Sequence, residues 1–255
     1  MAIDKVNGLA IVSGKGGVGK SVISLNLALA IGQMGIKTLL FDASGGDLAN
    51  LANAETPISG NPPDELTRLA ANVNLYSSVL TNPYSVVGSK HIRRLLQEIV
   101  KVVPGFECAI FDCPTGINAV SQTLSSLSEK IILVSSSDPT AIAGAYIVAK
   151  AFGRENLGER IGLLFNAVET IDEAASLKTR FDIMSQTFLN CRFNDYGHIR
   201  KDGALAESVR EQNPLFLNDR QSISANDIAQ LAKNIYPGGE FQNATIVPKT
   251  DMAIG

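Results

Sequence analysis

Gly14-Lys15-Gly16-Gly17-Val18-Gly19-Lys20-Ser21 is the stretch that decides the fold, and it fits the spacing G-x-x-x-x-G-K-[ST]. An apolar run, GLAIVS (8–13), precedes it and reads as a buried strand; SVISLNLALAIGQM (21–34) follows and reads as an amphipathic helix. A glycine turn between strand and helix aims successive backbone N–H groups and the positive helix end at one point, which suits a polyphosphate. Gly16, Gly17 and Gly19 let the backbone approach the anion with no Cβ in the way, and Gly14, Val18 and Val22 complete the stretch expected around it. Lys20 is placed to neutralise the β- and γ-phosphates, and the Ser21 hydroxyl to ligate Mg²⁺. The competing reading of these residues is a glycine turn that joins strand to helix and holds no ligand.

Outward from this loop, short apolar runs alternate with longer segments of helical pattern. KTLLFDA (37–43), VNLY (73–76), CAIFDC (108–113), KIILVSS (130–136) and RIGLLFNAV (160–168) read as further strands. They are almost unbroken in hydrophobicity, as strands buried on both faces are. Helices are expected over 20–34, 85–103, 119–127, 140–152, 171–188, 203–211 and 225–235. This alternation implies right-handed crossovers and an α/β fold: a doubly wound, mostly parallel sheet with helices on both faces. TPISGNPPDE (56–65) reads as an excursion after the second strand. Residues 1–236 are expected to form a single domain, with 237–255 a loose tail.

The chain has 255 residues, 45% of them hydrophobic, a net charge of −3 and a mean hydropathy of +0.13. That apolar content excludes wholesale disorder, and the acidic balance argues against coating nucleic acid by bulk charge. No run approaches the roughly 18 apolar residues that span a bilayer. Three cysteines (Cys108, Cys113, Cys191) without CxxC spacing read as reduced thiols, and the expected location is the cytoplasm.

With Lys15 included, SGKGGVGKS resembles the deviant phosphate loop of the MinD/ParA group of P-loop ATPases, and SGKGGVGKSVISLNLALAI is most similar to its flagellar-number regulator (FlhG, or FleN) branch. IFDCPTGI (110–117) resembles the family's D-x-P-x-G switch and LVSSSDPTAIAGAYIVAK (133–150) its segment ending in A-Y-x-x-x-K. LLFNAV (163–168) carries the Asn after a late strand, and YGHIRKDGALAESVREQNPLF (196–216) resembles the G-x-I-P-x-D segment and the next helix. The resemblance implies ATP and Mg²⁺ as cofactors and an ATP-dependent homodimer in which Lys15 reaches the partner's phosphates. It places Asp112 at the Mg²⁺ through water, the Gly116 N–H at the γ-phosphate as a detector of ATP against ADP, and Asp42 in support of the Mg²⁺ shell. Asn166 would contact adenine. Alternatives from the residues themselves stay open: Asp112 as a strand-end cap, Asn166 as a turn former.

The pattern also breaks. The family's second switch carboxylate, which positions the attacking water, belongs two residues beyond Asp42, where this chain has Ser44. Asp47 is the nearest carboxylate and fills the role if Gly45-Gly46 folds back. A serine accepts no proton at neutral pH, and losing such a group costs about 10²–10⁴-fold in rate. Arg200 replaces the family's adenine-side Pro. The tail lacks the basic amphipathic helix of the membrane-cycling relatives, so no stable membrane association is expected. Lys90, His91, Arg93, Arg94 and Lys101 share one helix, either a candidate patch for DNA or a solvated face, and the acidic charge argues against DNA. His198 reads as a loop residue near the nucleotide, and Cys108 and Cys113 as small buried residues. Two functions follow: an ATP-binding dimerisation switch that sets the place or number of a cellular machine through a protein partner, or a pseudo-ATPase adaptor that binds nucleotide without turnover.

Overall fold

A computed structural model of the chain describes residues 6–45, 47–55, 66–78 and 88–237. Eight strands form one sheet: β1 (Val6–Ser13), β2 (Thr38–Asp42), β3 (Leu66–Ala70), β4 (Val73–Ser77), β5 (Cys108–Asp112), β6 (Ser128–Ser135), β7 (Ile161–Val168) and β8 (Asn194–Arg200). Their order is β3-β4-β2-β5-β1-β6-β7-β8. Every described pairing is parallel except β3 with β4. The expected doubly wound α/β architecture is therefore the observed one. The Pro-rich stretch 56–65 and the tail from 238 onward lie outside the described residues.

The period-2 geometry of a strand divides the core into two layers. Leu9 and Ile11 of β1, Leu40 of β2, Ile110 of β5 and Ile132 and Val134 of β6 pack on one face, with α1 (Lys20–Gln33), α8 (Leu215–Asn218) and α9 (Ile223–Ile235). Ala10, Val12, Phe41, Phe111 and Leu133 point the other way, toward α3 (Ser89–Val102), α4 (Ala119–Leu127), α5 (Pro139–Arg154) and α6 (Ile171–Leu189). Two further helices, α2 (Asp47–Leu51) and α7 (Gly203–Arg210), pack on the same core layer as α1.

Several expectations need correction. Helix α1 is not amphipathic: of its residues only Ser21 and Val22 escape full burial, because the sheet covers one side and α8 and α9 the other. A helix buried all round carries no polar stripe. Strands β3 and β8, which the apolar runs do not announce, complete the sheet. Both lie at sheet edges, where one side is solvated and the apolar run is diluted, as in NDYGHIR of β8. Helices α2 and α8 are too short for a periodicity to register. His198 lies within β8, paired with Phe165, and not in a loop.

Candidate functional site

The glycine loop leaves β1 at Ser13 and enters α1 at Lys20, so it sits over the carboxyl edge of the sheet. Gly17 and Gly19 have φ of 79° and 85°, a left-handed backbone that a side chain would strain. A Cβ built on Gly16 or Gly17 meets nothing within 4 Å; both face open space. That space is a cavity of ≈ 550 Å³ walled by the loop, Ser21 and Val22, by Ser44, Asn50 and Thr115, and by Val209 and Gln212 beyond β8. Gly14 does different work: its Cβ would lie 2.0 Å from the Gly144 carbonyl carbon, so it lets the loop rest on α5.

Asp112 ends β5 with no exposed surface. A bare carboxylate there would be costly, and three donors from α1 satisfy it. Lys20 Nζ lies 2.7 Å from Oδ1, the Ser24 hydroxyl donates to Oδ1 at 2.8 Å, and the Ser21 hydroxyl donates to Oδ2 at 2.7 Å. The structure thus brings Lys20, Ser21 and Asp112 together, and Asp112 is not a helix cap. Ser24 went unnoticed in the sequence, although its position one turn after Lys20 puts it on the same helix face.

Asp42 stands beside Asp112 as its register partner across β2 and β5. Burial, chiefly, and the nearby Asp112 carboxylate raise its pKa, while hydrogen bonds from Ser44 and the Leu48 N–H oppose that rise. The Ser44 N–H and hydroxyl both reach Asp42 Oδ1, at 2.9 and 3.1 Å. Ser44 lines the cavity, yet its hydroxyl is turned to Asp42. Asp47 opens α2; its side chain lies outside the described residues. Gly116, at φ 81°, donates its N–H to the Ser13 carbonyl at 2.8 Å, which joins the D-x-P-x-G segment to the loop.

Lys15 is 43% exposed and reaches α5, 2.6 Å from the Thr140 hydroxyl and 3.3 Å from Asp138. Asp138 caps α5, and the Thr140 and Ala141 donors hold its pKa down to about 2. Asn166 is buried and does not line the cavity; its Nδ2 donates to the Val18 carbonyl at 2.8 Å, while its Oδ1, also buried, has no hydrogen-bond partner among the described residues. Arg200 is not brought to the cavity. Its guanidinium makes a two-pronged pair with Asp227 of α9, at 2.9 and 2.6 Å, which holds it to that helix. On α3, Lys90, Arg93, Arg94 and Lys101 are exposed, Arg94 pairs with Glu98 at 3.7 Å, and His91 Nδ1 accepts from the Gly88 N–H at the helix start.

These features fit a magnesium nucleotide. The glycines open on a space of suitable size, with Lys20 and Ser21 on its wall. Ser21 with Asp42 and Asp112 is the sparse oxygen set that Mg²⁺ uses when phosphates complete its shell. Among the described residues no group of three or more His, Cys, Asp or Glu side chains forms a metal cage by itself.

Comparison with known proteins gives the family and supports the fold. Residues 9–215 match the family described as the CobQ/CobB/MinD/ParA nucleotide binding domain. The antiactivator FleN of Pseudomonas aeruginosa is 24% identical over 87% of this chain and 84% of its own length. The flagellum site-determining protein YlxH of Helicobacter pylori is 25% identical over 86% and 76%. Among solved structures, the septum site-determining protein MinD of Pyrococcus horikoshii, complexed with Mg-ADP, superposes with a TM-score of 0.70 at 20% identity, covering 91% of this chain and 96% of that one.

Proposed function

Because the chain belongs to the CobQ/CobB/MinD/ParA nucleotide-binding family, we propose that it is an ATP-binding dimerisation switch of the MinD/ParA type with slowed hydrolysis, one that sets the place or number of a cellular machine. The observation that carries this reading is the split within its site. Lys20, Ser21 and Asp112, which would hold the phosphates and Mg²⁺, stand together, while the residue two beyond Asp42 is a serine whose hydroxyl is already engaged with Asp42. Names of relatives that determine flagellum or septum sites support the choice of machine. The protein partner through which it acts is not specified by these residues.

Within this reading, Lys20 leaves Asp112 for the β- and γ-phosphates, and Ser24 stays as a donor to the carboxylate it vacates. Mg²⁺, when bound, supplies charge neutralisation at the phosphate oxygens; Ser21, Asp112 and Asp42 would hold it. Gly116 must release the Ser13 carbonyl before its N–H can meet a γ-phosphate, which makes that segment the sensor of ATP against ADP. Lys15 must likewise leave Asp138 and Thr140 before it can reach a partner protomer. Asn166 must be uncovered from beneath the loop before its buried Oδ1 can meet the base. Flotation with anionic liposomes in ATP, expected to leave the protein unbound, tests whether the switch works without stable membrane association.

The bound Ser44 hydroxyl also favours a second reading, an adaptor that binds nucleotide and never turns it over. Phosphate release measured beside particle mass in ATP and in ADP separates the two. A switch dimerises in ATP, releases phosphate slowly and returns to monomer; the adaptor releases none. A monomer in both nucleotides would refute the switch.

A further inference from the structure

A second cavity, ≈ 760 Å³, lies at the sheet edge opposite the glycine loop, where α5 and α6 end and β7 and β8 begin. Its walls include Ala149, Leu189 and Phe188 together with Lys150, Arg154 and Arg192. Three cations face a single carboxylate, Glu159, in a chain of net charge −3. None of the three joins an ion pair among the described residues; Arg192 donates only to the Gln186 side-chain oxygen, at 3.1 Å. Phe188 is 71% exposed, more than any other large apolar side chain among the described residues.

An exposed apolar side chain also lies on the helix face of α5 that carries two of the cations. Ile147 is 57% exposed and shares a helix face with Lys150 and Arg154, three and seven residues on. Exposed apolar groups ringed by charge mark an interaction surface. Its extent beyond the cavity suits a polypeptide rather than a small anion, and Glu159 with the aliphatic floor disfavours a phosphate backbone.

We propose that this α5–α6 groove docks an acidic segment of a protein partner, with one bulky apolar side chain seated against Phe188 and Leu189 and carboxylates on Lys150, Arg154 and Arg192. Because the groove and the glycine loop lie at opposite edges, docking leaves the nucleotide site open. Charge-assisted contacts to planar Arg groups then set the charge preference.

The test uses the full chain and labelled 16-residue peptides that place Leu or Phe among Asp and Glu, with the same sequences carrying Lys as controls. Fluorescence polarisation should show the acidic set binding at least about tenfold more tightly than the basic set. Arg154→Glu with Arg192→Glu should weaken the acidic set by about tenfold or more, and Phe188→Ser comparably, with melting temperature and nucleotide binding unchanged. Bound peptide should also slow iodoacetamide alkylation of Cys191, a half-buried thiol in the groove wall, whereas Cys108 and Cys113 are buried elsewhere. Equal binding of acidic and basic peptides, binding that survives these substitutions, or tighter binding of an oligonucleotide at the same residues would each overturn the proposal.

Discussion

Lys20→Ala should do two separable things, and the first concerns the protein without nucleotide. Lys20 Nζ sits 2.7 Å from Asp112 Oδ1, and both side chains are buried. Removing one partner of a buried ion pair costs about 3–5 kcal/mol, since the other charge stays behind unpaired. Asp112 keeps the Ser21 and Ser24 hydroxyls, and Lys20 borders the cavity, so water can enter the vacated space. Both effects place the loss near the lower bound, about 3 kcal/mol, or roughly 6–12 °C in melting temperature for a domain of this size. Pairing Lys20→Met with Asp112→Asn removes both charges and should recover most of it. The second effect is on binding: with no cation for the phosphates, titration calorimetry should detect no ATP affinity in Lys20→Ala. Thermal unfolding with and without Mg-ATP reads both, because a ligand raises the stability of only the variant that binds it. A nucleotide-free Lys20→Ala melting within about 2 °C of the parent would refute the resting ion pair. Unchanged ATP affinity would refute the phosphate assignment.

Gly16→Ala should leave the melting temperature unchanged, because its Cβ meets nothing within 4 Å, yet weaken Mg-ATP binding where the phosphates approach. Gly14→Ala should instead destabilise by about 1–3 kcal/mol or more through its 2.0 Å clash with the Gly144 backbone, measured by denaturant unfolding. Asp42→Asn should stabilise the nucleotide-free protein near neutral pH. The raised pKa means that the ionised form is disfavoured in the fold, so the parent loses stability as pH rises through its carboxylate range and the variant does not. Melting curves from pH 3 to 7 check that sign, and magnesium-dependent ATP affinity should fall in the same variant. Ser44→Asp should raise steady-state phosphate release from a slow parent, because it returns a carboxylate to the position two residues beyond Asp42. If Asp47 already fills the role, the parent turns over normally and Asp47→Ala stops it; normal turnover insensitive to Asp47→Ala would show that the switch is misplaced.

The sequence by itself determined the parts whose physics is local. Gly16, Gly17 and Gly19 before Lys20-Ser21 announce a turn that only glycine tolerates, and the left-handed φ of Gly17 and Gly19 agrees. Strands β1, β2, β5, β6 and β7 were legible because central strands bury both faces and so read as continuous apolar runs. Asp112 could be singled out because a carboxylate at the end of such a run needs a partner. Tertiary structure alone decided who that partner is: Lys20 and Ser24 lie 92 and 88 residues away in the chain, and only the β1–β5 pairing brings α1 over β5. It alone held Arg200 to Asp227 and set Lys15 against Asp138. No spacing encodes such contacts, because they depend on where the crossovers place distant ends. The burial of α1 follows the same logic: its sequence sets a helix, but whether its outer face meets water depends on α8 and α9, which arrive nearly two hundred residues later. Backbone conformation is fixed by neighbours along the chain, whereas burial and charge pairing are fixed by neighbours in space.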